Sequence, residues 1–420
     1  MSIRVPAVER PLVSVLMVTY GALDWVQRSV RALVEHTPPV YELVVVDNGS
    51  TDGTREWLRD ELVGARVVLA ERNLGFAVGN DLAALHARGE HLCLLNSDAL
   101  VPEDWLALLD ALGDPATGAV VPLYVYPDGG LQEAGAAVHD DGLVVALGAH
   151  ADADAPAWRF PRTVQYGSAA CLVMRRRTFR ELGGFDPAFG AGYYEDVDFA
   201  FRMQTRGLRL VLDPRVRVVH AQGASSASPE AAEAARDANR ELFRRRWASR
   251  LTGRPRVFLA RAPNHVLGGR DLESPDRVLV VLPHVAPAGA APGGPEALAE
   301  LDALVETLVD AMPGARVTVA LGHPGPTGVA ERADAWRGAG VEVEDVTEWE
   351  QWLVDRRCHY SLVVTRSGTA VAGAARDAQP AATFATPGEL RALGREQLAR
   401  WLLERGFSSA ARADAPAPVS

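Results

Sequence analysis

Short runs of apolar, largely β-branched residues alternate with stretches of helical character through the first part of the chain, and no other feature restricts the fold as much. Val13–Thr19 (VSVLMVT), Tyr41–Val46 (YELVVV), Ala65–Leu69 and His91–Leu95 (HLCLL) read as strands. Helices are expected between them: one through about His36, one around Arg55–Leu62 with Thr51 as N-cap, and one over Phe76–Ala87. Strands that are apolar without alternation must be covered on both faces, which calls for a parallel sheet between helix layers. Ligands of such sheets sit beyond the carboxyl ends of the strands. Three of those ends carry polar groups: Thr19-Tyr20, Asp47-Asn48 and Asn96-Ser97-Asp98.

Several chemistries are excluded. The text after the first strand is TYGALDW, with no G-x-G-x-x-G, and no G-x-x-x-x-G-K-[ST] occurs, so a dinucleotide oxidoreductase and a P-loop NTPase lose their signatures. A sugar-1-phosphate nucleotidylyltransferase needs a Gly-rich, basic signature at the same place, and it is missing too. All 43 Lys-plus-Arg positions are Arg, which removes Schiff-base and P-loop lysine chemistry, and 54 acidic residues bring the net charge to −11. That balance argues against non-specific binding of nucleic acid. Cys93, Cys171 and Cys358 are widely separated and read as buried thiols of a reducing compartment. No signal peptide is visible, and no apolar run approaches the roughly 18 residues of a membrane span. A cytoplasmic protein is expected.

The 420 residues divide by composition into a first domain over 1–250, an Arg-rich connector over 251–276, a second β-α-β domain over 277–408 and a frayed tail over 409–420. From about Leu131 to Gly167 the text is irregular, with a strand-like piece at Leu143–Leu147. A strand at Ala170–Arg175, a helix at Arg176–Leu182, strands at Leu208–Leu212 and Val216–His220, and a helix over Pro229–Trp247 follow. In the second domain Arg277–Leu282, Arg316–Leu321 and Ser361–Thr365 read as strands and Pro295–Met312 as a helix.

Between Arg240 and Arg261 stand eight Arg and one Glu. A solvated helix face and interdomain strap is the favoured reading, since phosphate recognition needs geometry as well as charge. The alternative is peripheral contact with an anionic membrane or a phosphorylated acceptor. A homo-oligomer is left open.

Asn96-Ser97-Asp98 is the constellation of greatest use. By itself the triplet is an ordinary Asx turn, but a carboxylate at a strand end can hold Mg²⁺ or Mn²⁺ against a diphosphate, a task with particular value in a protein without lysine. Asp47 opens DNGSTDGT and can accept from a base N–H or a ribose hydroxyl. Arg72–Asp81 (RNLGFAVGND) supplies a Gly-rich turn with Asn73 and Asn80. Glu195-Asp196-x-Asp198 starts an amphipathic helix; helix-dipole compensation needs fewer than three carboxylates, so one is a candidate general base. His220, ending a strand, is a candidate neutral imidazole ligand.

VSVLMVTYG, VVVDNGSTDGT, NLGFAVGND, LLNSDALVPEDWL, LQEAG, GSAACLVMRRRTFRELGGFDPAF, YYEDVDFAFR and VVHAQGASS, in this order over about Val13–Ser226, resemble a family 2 glycosyltransferase of the GT-A fold, in particular the bacterial rhamnosyltransferase-like branch. The resemblance implies a Rossmann-like α/β domain with a mixed sheet. It implies inverting, metal-dependent transfer from a nucleotide-diphosphate sugar, a dTDP-deoxysugar such as rhamnose being the family-level guess, to a hydroxyl of a glycan, lipid-linked or small-molecule acceptor. It further implies that Thr19, Tyr20 and Asp47 contact the nucleoside, that Asn73, Gly75 and Asn80 line the donor pocket, and that Asn96 and Asp98 form the D-x-D variant. In this scheme Asp98 and His220 ligate Mg or Mn, Asp196 is the base, and Glu195 and Asp198 shape the acceptor side. Gly21 and Asp81 depart from the family pattern, and an added carboxylate near a diphosphate is unfavourable unless Asp81 faces away or meets Arg72. A catalytically silent sugar-nucleotide-binding or scaffold protein is the rival reading. More weakly, Arg277–Phe384 resembles the N-terminal half of a GT-B glycosyltransferase, which implies an accessory or pairing domain.

Overall fold

A computed structural model describes residues 2–190, 192–223, 229–254, 265–274, 276–282, 295–322, 329–365, 369–393 and 395–408. The chain forms two compact units, residues 1–153 with 162–257, and residues 154–161 with 258–420. The segment Asp154–Pro161 thus groups with the second unit, which a division read along the chain does not anticipate. The expected tail 409–420 and residues 255–264 and 275 of the expected connector lie outside the described residues.

In the first unit a mixed sheet runs in the order Arg162–Val164, Arg209–His220, Thr117–Val125, Cys171–Arg175, His91–Leu95, Val13–Thr19, Tyr41–Asp47, Arg66–Leu69. Two very short strands flank this path: Ala99–Leu100 pairs with Arg209–His220, and Leu131–Glu133 with Thr117–Val125. Val13–Thr19 pairs in parallel with both Tyr41–Asp47 and His91–Leu95. Cys171–Arg175 is antiparallel to His91–Leu95 and to Thr117–Val125, and the latter is parallel to Arg209–His220. Two reversals restore the direction, so His220 ends its strand on the same edge of the sheet as Thr19, Asp47 and Leu95.

Packing explains the strand texts. Val13, Val15, Leu16 and Met17 are fully buried, as are Val44, Val45 and Val46. The helix Leu23–His36 lays Val26, Val30 and Leu33 into the core at helical spacing, while its Ser29 hydroxyl donates to the Ala99 carbonyl at 2.7 Å.

Three local expectations are corrected. Thr51 does not cap the helix Thr54–Asp60; the Asp52 carboxylate accepts from the Thr54 amide (3.2 Å) and hydroxyl (2.7 Å). The strands expected at Leu208–Leu212 and Val216–His220 are one strand, Arg209–His220, whose register against Thr117–Val125 shifts between Asp213 and Arg217. Pro214 has no N–H for the ladder there, and the Arg215 amide turns to the Asp213 carboxylate at 3.1 Å, so the strand bulges rather than stops. Cys93 and Cys171 are buried as expected, but Cys358 is exposed.

The second unit holds a parallel five-stranded sheet, ordered Glu342–Val346, Arg316–Gly322, Arg277–Leu282, Leu362–Thr365, Thr383–Ala385. Buried charged residues, Arg316 and Glu342, begin two of its strands. Arg270 bonds Asp271 (2.7 and 2.8 Å) and Glu342 (2.7 and 3.0 Å), Arg316 reaches Asp271 at 3.1 Å, and Thr318 donates to Glu342 at 2.9 Å. Phe160, from the 154–161 segment, lies under both guanidinium groups, 5.3 Å from that of Arg270 and 4.6 Å from that of Arg316.

Candidate active site

Three groups of side chains stand at the carboxyl edge of the first sheet. The first is at the ends of Val13–Thr19 and Tyr41–Asp47. Asp47 is fully buried; its Oδ1 accepts from the Ser50 amide at 3.2 Å and lies 3.5 Å from the Thr19 hydroxyl. Its Oδ2 has no hydrogen-bond partner, with Arg55 Nε 3.6 Å away. A buried carboxylate oxygen without a donor is costly, and a ligand N–H or hydroxyl would satisfy it. Tyr20, next along, is 38 % exposed.

Asn73, Gly75 and Asn80 build the neighbouring turn. Asn73 Oδ1 accepts from the Gly75 amide (2.8 Å), Asn80 Nδ2 donates to the Phe76 carbonyl (3.0 Å), and Asn48 Nδ2 donates to the Gly75 carbonyl (3.1 Å). Gly75 has φ +83°, a conformation costly for residues with a Cβ. Asp81 meets neither a donor pocket nor Arg72: its Oδ1 accepts from the Phe185 amide at 3.0 Å, close against Gly184.

The second group is Asn96, Asp98 and His220. Register brings them together, because His220 pairs with Ala99 across the short antiparallel ladder. His220 Nε2 lies 3.4 Å from Asp98 Oδ1 and 3.3 Å from Asn96 Nδ2. On the other side of the ring Gln132 closes the geometry, donating Nε2–H to the His220 carbonyl (2.9 Å) and presenting Oε1 to Nδ1 (2.8 Å). That amide orientation makes Nδ1 the protonated nitrogen and turns the Nε2 lone pair toward the Asp98 carboxylate. A lone pair and a carboxylate facing each other at this distance suit a shared divalent cation. The donor set, one imidazole nitrogen and one carboxylate oxygen, fits an ion that takes its remaining ligands from water or phosphate oxygens. Among the described residues no group of three or more His, Cys, Asp or Glu could hold a metal ion by itself.

The third group surrounds Asp196, in the first turn of the helix Glu195–Thr205. Its Oδ2 accepts from the Tyr166 hydroxyl (2.6 Å) and the Ala169 amide (3.2 Å), and its Oδ1 from the Val197 amide (2.9 Å). The preceding amide, of Ser168, donates to Glu133 at 2.8 Å, so successive amides hold two carboxyl groups side by side. Burial pushes Asp196 up, opposed by Tyr166 and the two amides. Burial, with the nearby Asp196 charge, pushes Glu133 up to about 7. Burial and Asp196 together raise Glu195 well above the usual range, and its Oε2 has no hydrogen-bond partner.

The loop before this helix is strained and braced. Tyr193 and Tyr194 both have φ +72°, and Asn239 Nδ2 lies 2.6, 2.8 and 3.0 Å from the carbonyls of Phe189, Gly192 and Tyr193. Asp198 belongs to this brace rather than to the acceptor side, which corrects the sequence expectation. It is fully buried and takes Arg202 Nε at 2.7 Å, with Arg246 Nη1 and Trp247 Nε1 both at 2.9 Å. Basic residues of the Arg-rich stretch are engaged here as well: Arg246 also meets Asp186 at 2.7 Å, Arg240 bonds Asp141, and Arg254 lies over the Phe201 ring.

Gln132, Glu133 and Tyr166 had no assigned role in the sequence, although LQEAG stood out as text. Leu131–Glu133 is three residues long, and it sends Gln132 to His220 and Glu133 to the Asp196 side.

Residues 14–183 match the family model described as glycosyl transferase family 2. The N-acetylglucosaminyl-diphospho-decaprenol L-rhamnosyltransferase of Mycobacterium tuberculosis is 30 % identical over 241 residues, covering 49 % of this chain and 75 % of that protein. The chain belongs to glycosyl transferase family 2. Its first unit has the Rossmann-like mixed sheet of the GT-A fold. An O-antigen biosynthesis protein of Myxococcus xanthus is also 30 % identical, over 54 % of this chain. The chain spans only 19 % of that protein, and 28 % of an uncharacterized Sinorhizobium fredii relative. Among solved structures, a mannosyltransferase from Pyrobaculum calidifontis in complex with GDP-Man and Mn²⁺ is similar at 24 % identity, over 64 % of this chain and 72 % of that one, with a TM-score of 0.43. No helix of the described residues is long and apolar enough to cross a membrane.

Proposed function

We propose that this family 2 glycosyltransferase transfers a sugar, with inversion, from a nucleotide-diphosphate donor to an acceptor hydroxyl. The observation that carries the reading is the convergence of Asp98 and His220, 3.4 Å apart, on one edge of the sheet with a hydrogen-bonded but uncompensated Asp196. Asp98 and His220, with Asn96 beside them, would hold Mg²⁺ or Mn²⁺, which supplies positive charge to the leaving diphosphate. Asp47, through its unpartnered Oδ2, and Thr19 and Tyr20 bind the nucleoside. Asn73, Gly75 and Asn80 shape the turn beneath the donor. Asp196 accepts the proton of the attacking hydroxyl as the new glycosidic bond forms and the bond to the diphosphate breaks on the opposite face, a single displacement. Glu195 stands on the acceptor side. The similarity to a rhamnosyltransferase acting on a lipid-linked diphosphosugar supports a dTDP-linked deoxysugar donor and a lipid-linked or glycan acceptor for polysaccharide assembly. It also supports action at the inner face of a membrane. We assign the second unit an accessory role.

Released nucleotide, measured over a panel of nucleotide sugars with Mn²⁺ or Mg²⁺, tests the reading. Asp196→Asn should lower turnover about a thousand-fold while metal-dependent nucleotide binding persists. Near-normal turnover in that variant would remove Asp196 from the chemistry.

A further inference from the structure

The two oxygens of Asp196 are not equivalent. Oδ2 takes two donors from one short segment, the Tyr166 hydroxyl at 2.6 Å and the Ala169 amide at 3.2 Å, whereas Oδ1 takes the Val197 amide of its own helix turn at 2.9 Å. The ionisable neighbours are themselves carboxyl groups: Glu195 precedes Asp196 in the chain, and Glu133 is held by the Ser168 amide beside it. Among the described residues no Arg or His forms an ion pair with Asp196. Hydrogen bonds rather than a counter-charge therefore favour its ionised form against burial.

We propose that Tyr166 is a positioning residue for the transfer: its phenol ties down Oδ2 of Asp196, so that Oδ1 is the oxygen that takes the acceptor proton. The proposal rests on Asp196 as the base. The acceptor O–H bond breaks toward Oδ1 as its oxygen joins the anomeric carbon, and the electron pair of the old glycosyl bond leaves on the diphosphate. Tyr166 itself gives up no proton, since burial, then Asp196 and Glu133, raise its phenol well above its ordinary range and keep it a donor throughout. Its ring is 8 % exposed, so Tyr166→Phe keeps the packing and removes only the donor.

Removing a donor to a carboxylate destabilises the charged form, so the sign is fixed in advance. In full-length protein labelled with ¹³C-aspartate, the carboxyl resonance that disappears in Asp196→Asn should titrate with a midpoint about one unit higher in Tyr166→Phe. A 3,5-difluorotyrosine at position 166, a stronger donor, should move the midpoint down, and it leaves folding untouched if Tyr166→Phe does not. With whichever donor the wild type turns over, Tyr166→Phe should lower kcat at pH 7 about ten-fold, leave the donor KM unchanged, and shift the acid limb of the pH profile upward. An unchanged midpoint overturns the proposal, even if kcat falls. If Asp196→Asn still turns over, the reading of Asp196 fails. If Asp196→Asn is inactive but Tyr166→Phe matches wild type in midpoint and profile, only the role of Tyr166 fails.

Discussion

Charge is buried in two different ways in this chain. In the second unit, two arginines and two carboxylates interlock where two strands of the parallel sheet begin. Burial would raise Asp271, but Arg270 and Arg316 hold it well below the usual carboxylate range, and Arg270 likewise brings Glu342 down to about 2. Around Asp196 in the first unit burial wins: Glu133 rises to about 7 and Glu195 is pushed well above the usual carboxylate range, with amides and a phenol rather than a counter-charge opposing the rise. A compensated cluster serves the fold, whereas uncompensated carboxyl groups at the open end of a sheet cost stability and retain basicity for chemistry. Glu344 is the exception in the second unit. Burial and the neighbouring Glu342 raise it to about 7 despite Arg356 at 2.9 Å.

The contrast is most easily broken at Arg270. Arg270→Met leaves Asp271 with Arg316 and His359 and leaves Glu342 with the Thr318 hydroxyl, and should cost about 3–5 kcal/mol in urea unfolding, with lost hydrogen-exchange protection confined to Arg277–Thr365. Replacing Glu342 by Met as well should recover part of the loss; a double variant no better than the single would mean the cluster is not held by mutual compensation.

A smaller effect belongs to Gln132. Gln132→Leu releases the His220 ring and frees its tautomer, so Mn²⁺ affinity in the presence of a nucleoside diphosphate should fall about 10- to 100-fold by calorimetry. Unchanged affinity would detach Gln132 from the metal site.

The smallest effect is one of pH. Glu133 is raised in the folded state, so its stabilising contribution is complete below about pH 4.5 and is lost as pH rises through about 7. Glu133→Gln should therefore raise Tm by a few degrees at pH 8 and hardly at all at pH 5. Glu342 is lowered, so Glu342→Gln should destabilise above about pH 4.5 and converge on wild type as pH falls toward about 2. A pH-independent Glu133→Gln effect would show that the carboxyl is not held neutral by its surroundings.

The parallel part of the first sheet was legible because Val13–Thr19, Tyr41–Asp47 and His91–Leu95 are apolar on both faces and each ends in a polar pair, which marks the functional edge without any contact information. Asp98, Asp196 and His220 stand out in the sequence as candidates by their positions at or after a strand end or at a helix start, and the roles proposed for them rest on those positions. Gln132, Glu133 and Tyr166 lie in the aperiodic span between Leu131 and Gly167, where strands of three residues give no pattern and pairing is set by distant partners. Asp198 was misread for a related reason. Its first-turn position is right for either a cap or a site, and the partners that decide the matter, Arg246 and Trp247, are supplied by a different helix and its end.

The excursion of Asp154–Pro161 bears on how the enzyme can be dissected. Trp158 and Phe160 are almost wholly shielded from water, and Phe160 owes its cover to arginines more than a hundred positions downstream. A fragment ending at Val257 would retain every residue assigned to catalysis yet carry two orphaned aromatic rings on a loop between strands. It should aggregate unless those rings are replaced by polar side chains, and its poor behaviour would reveal nothing about the chemistry of Asp98, Asp196 and His220.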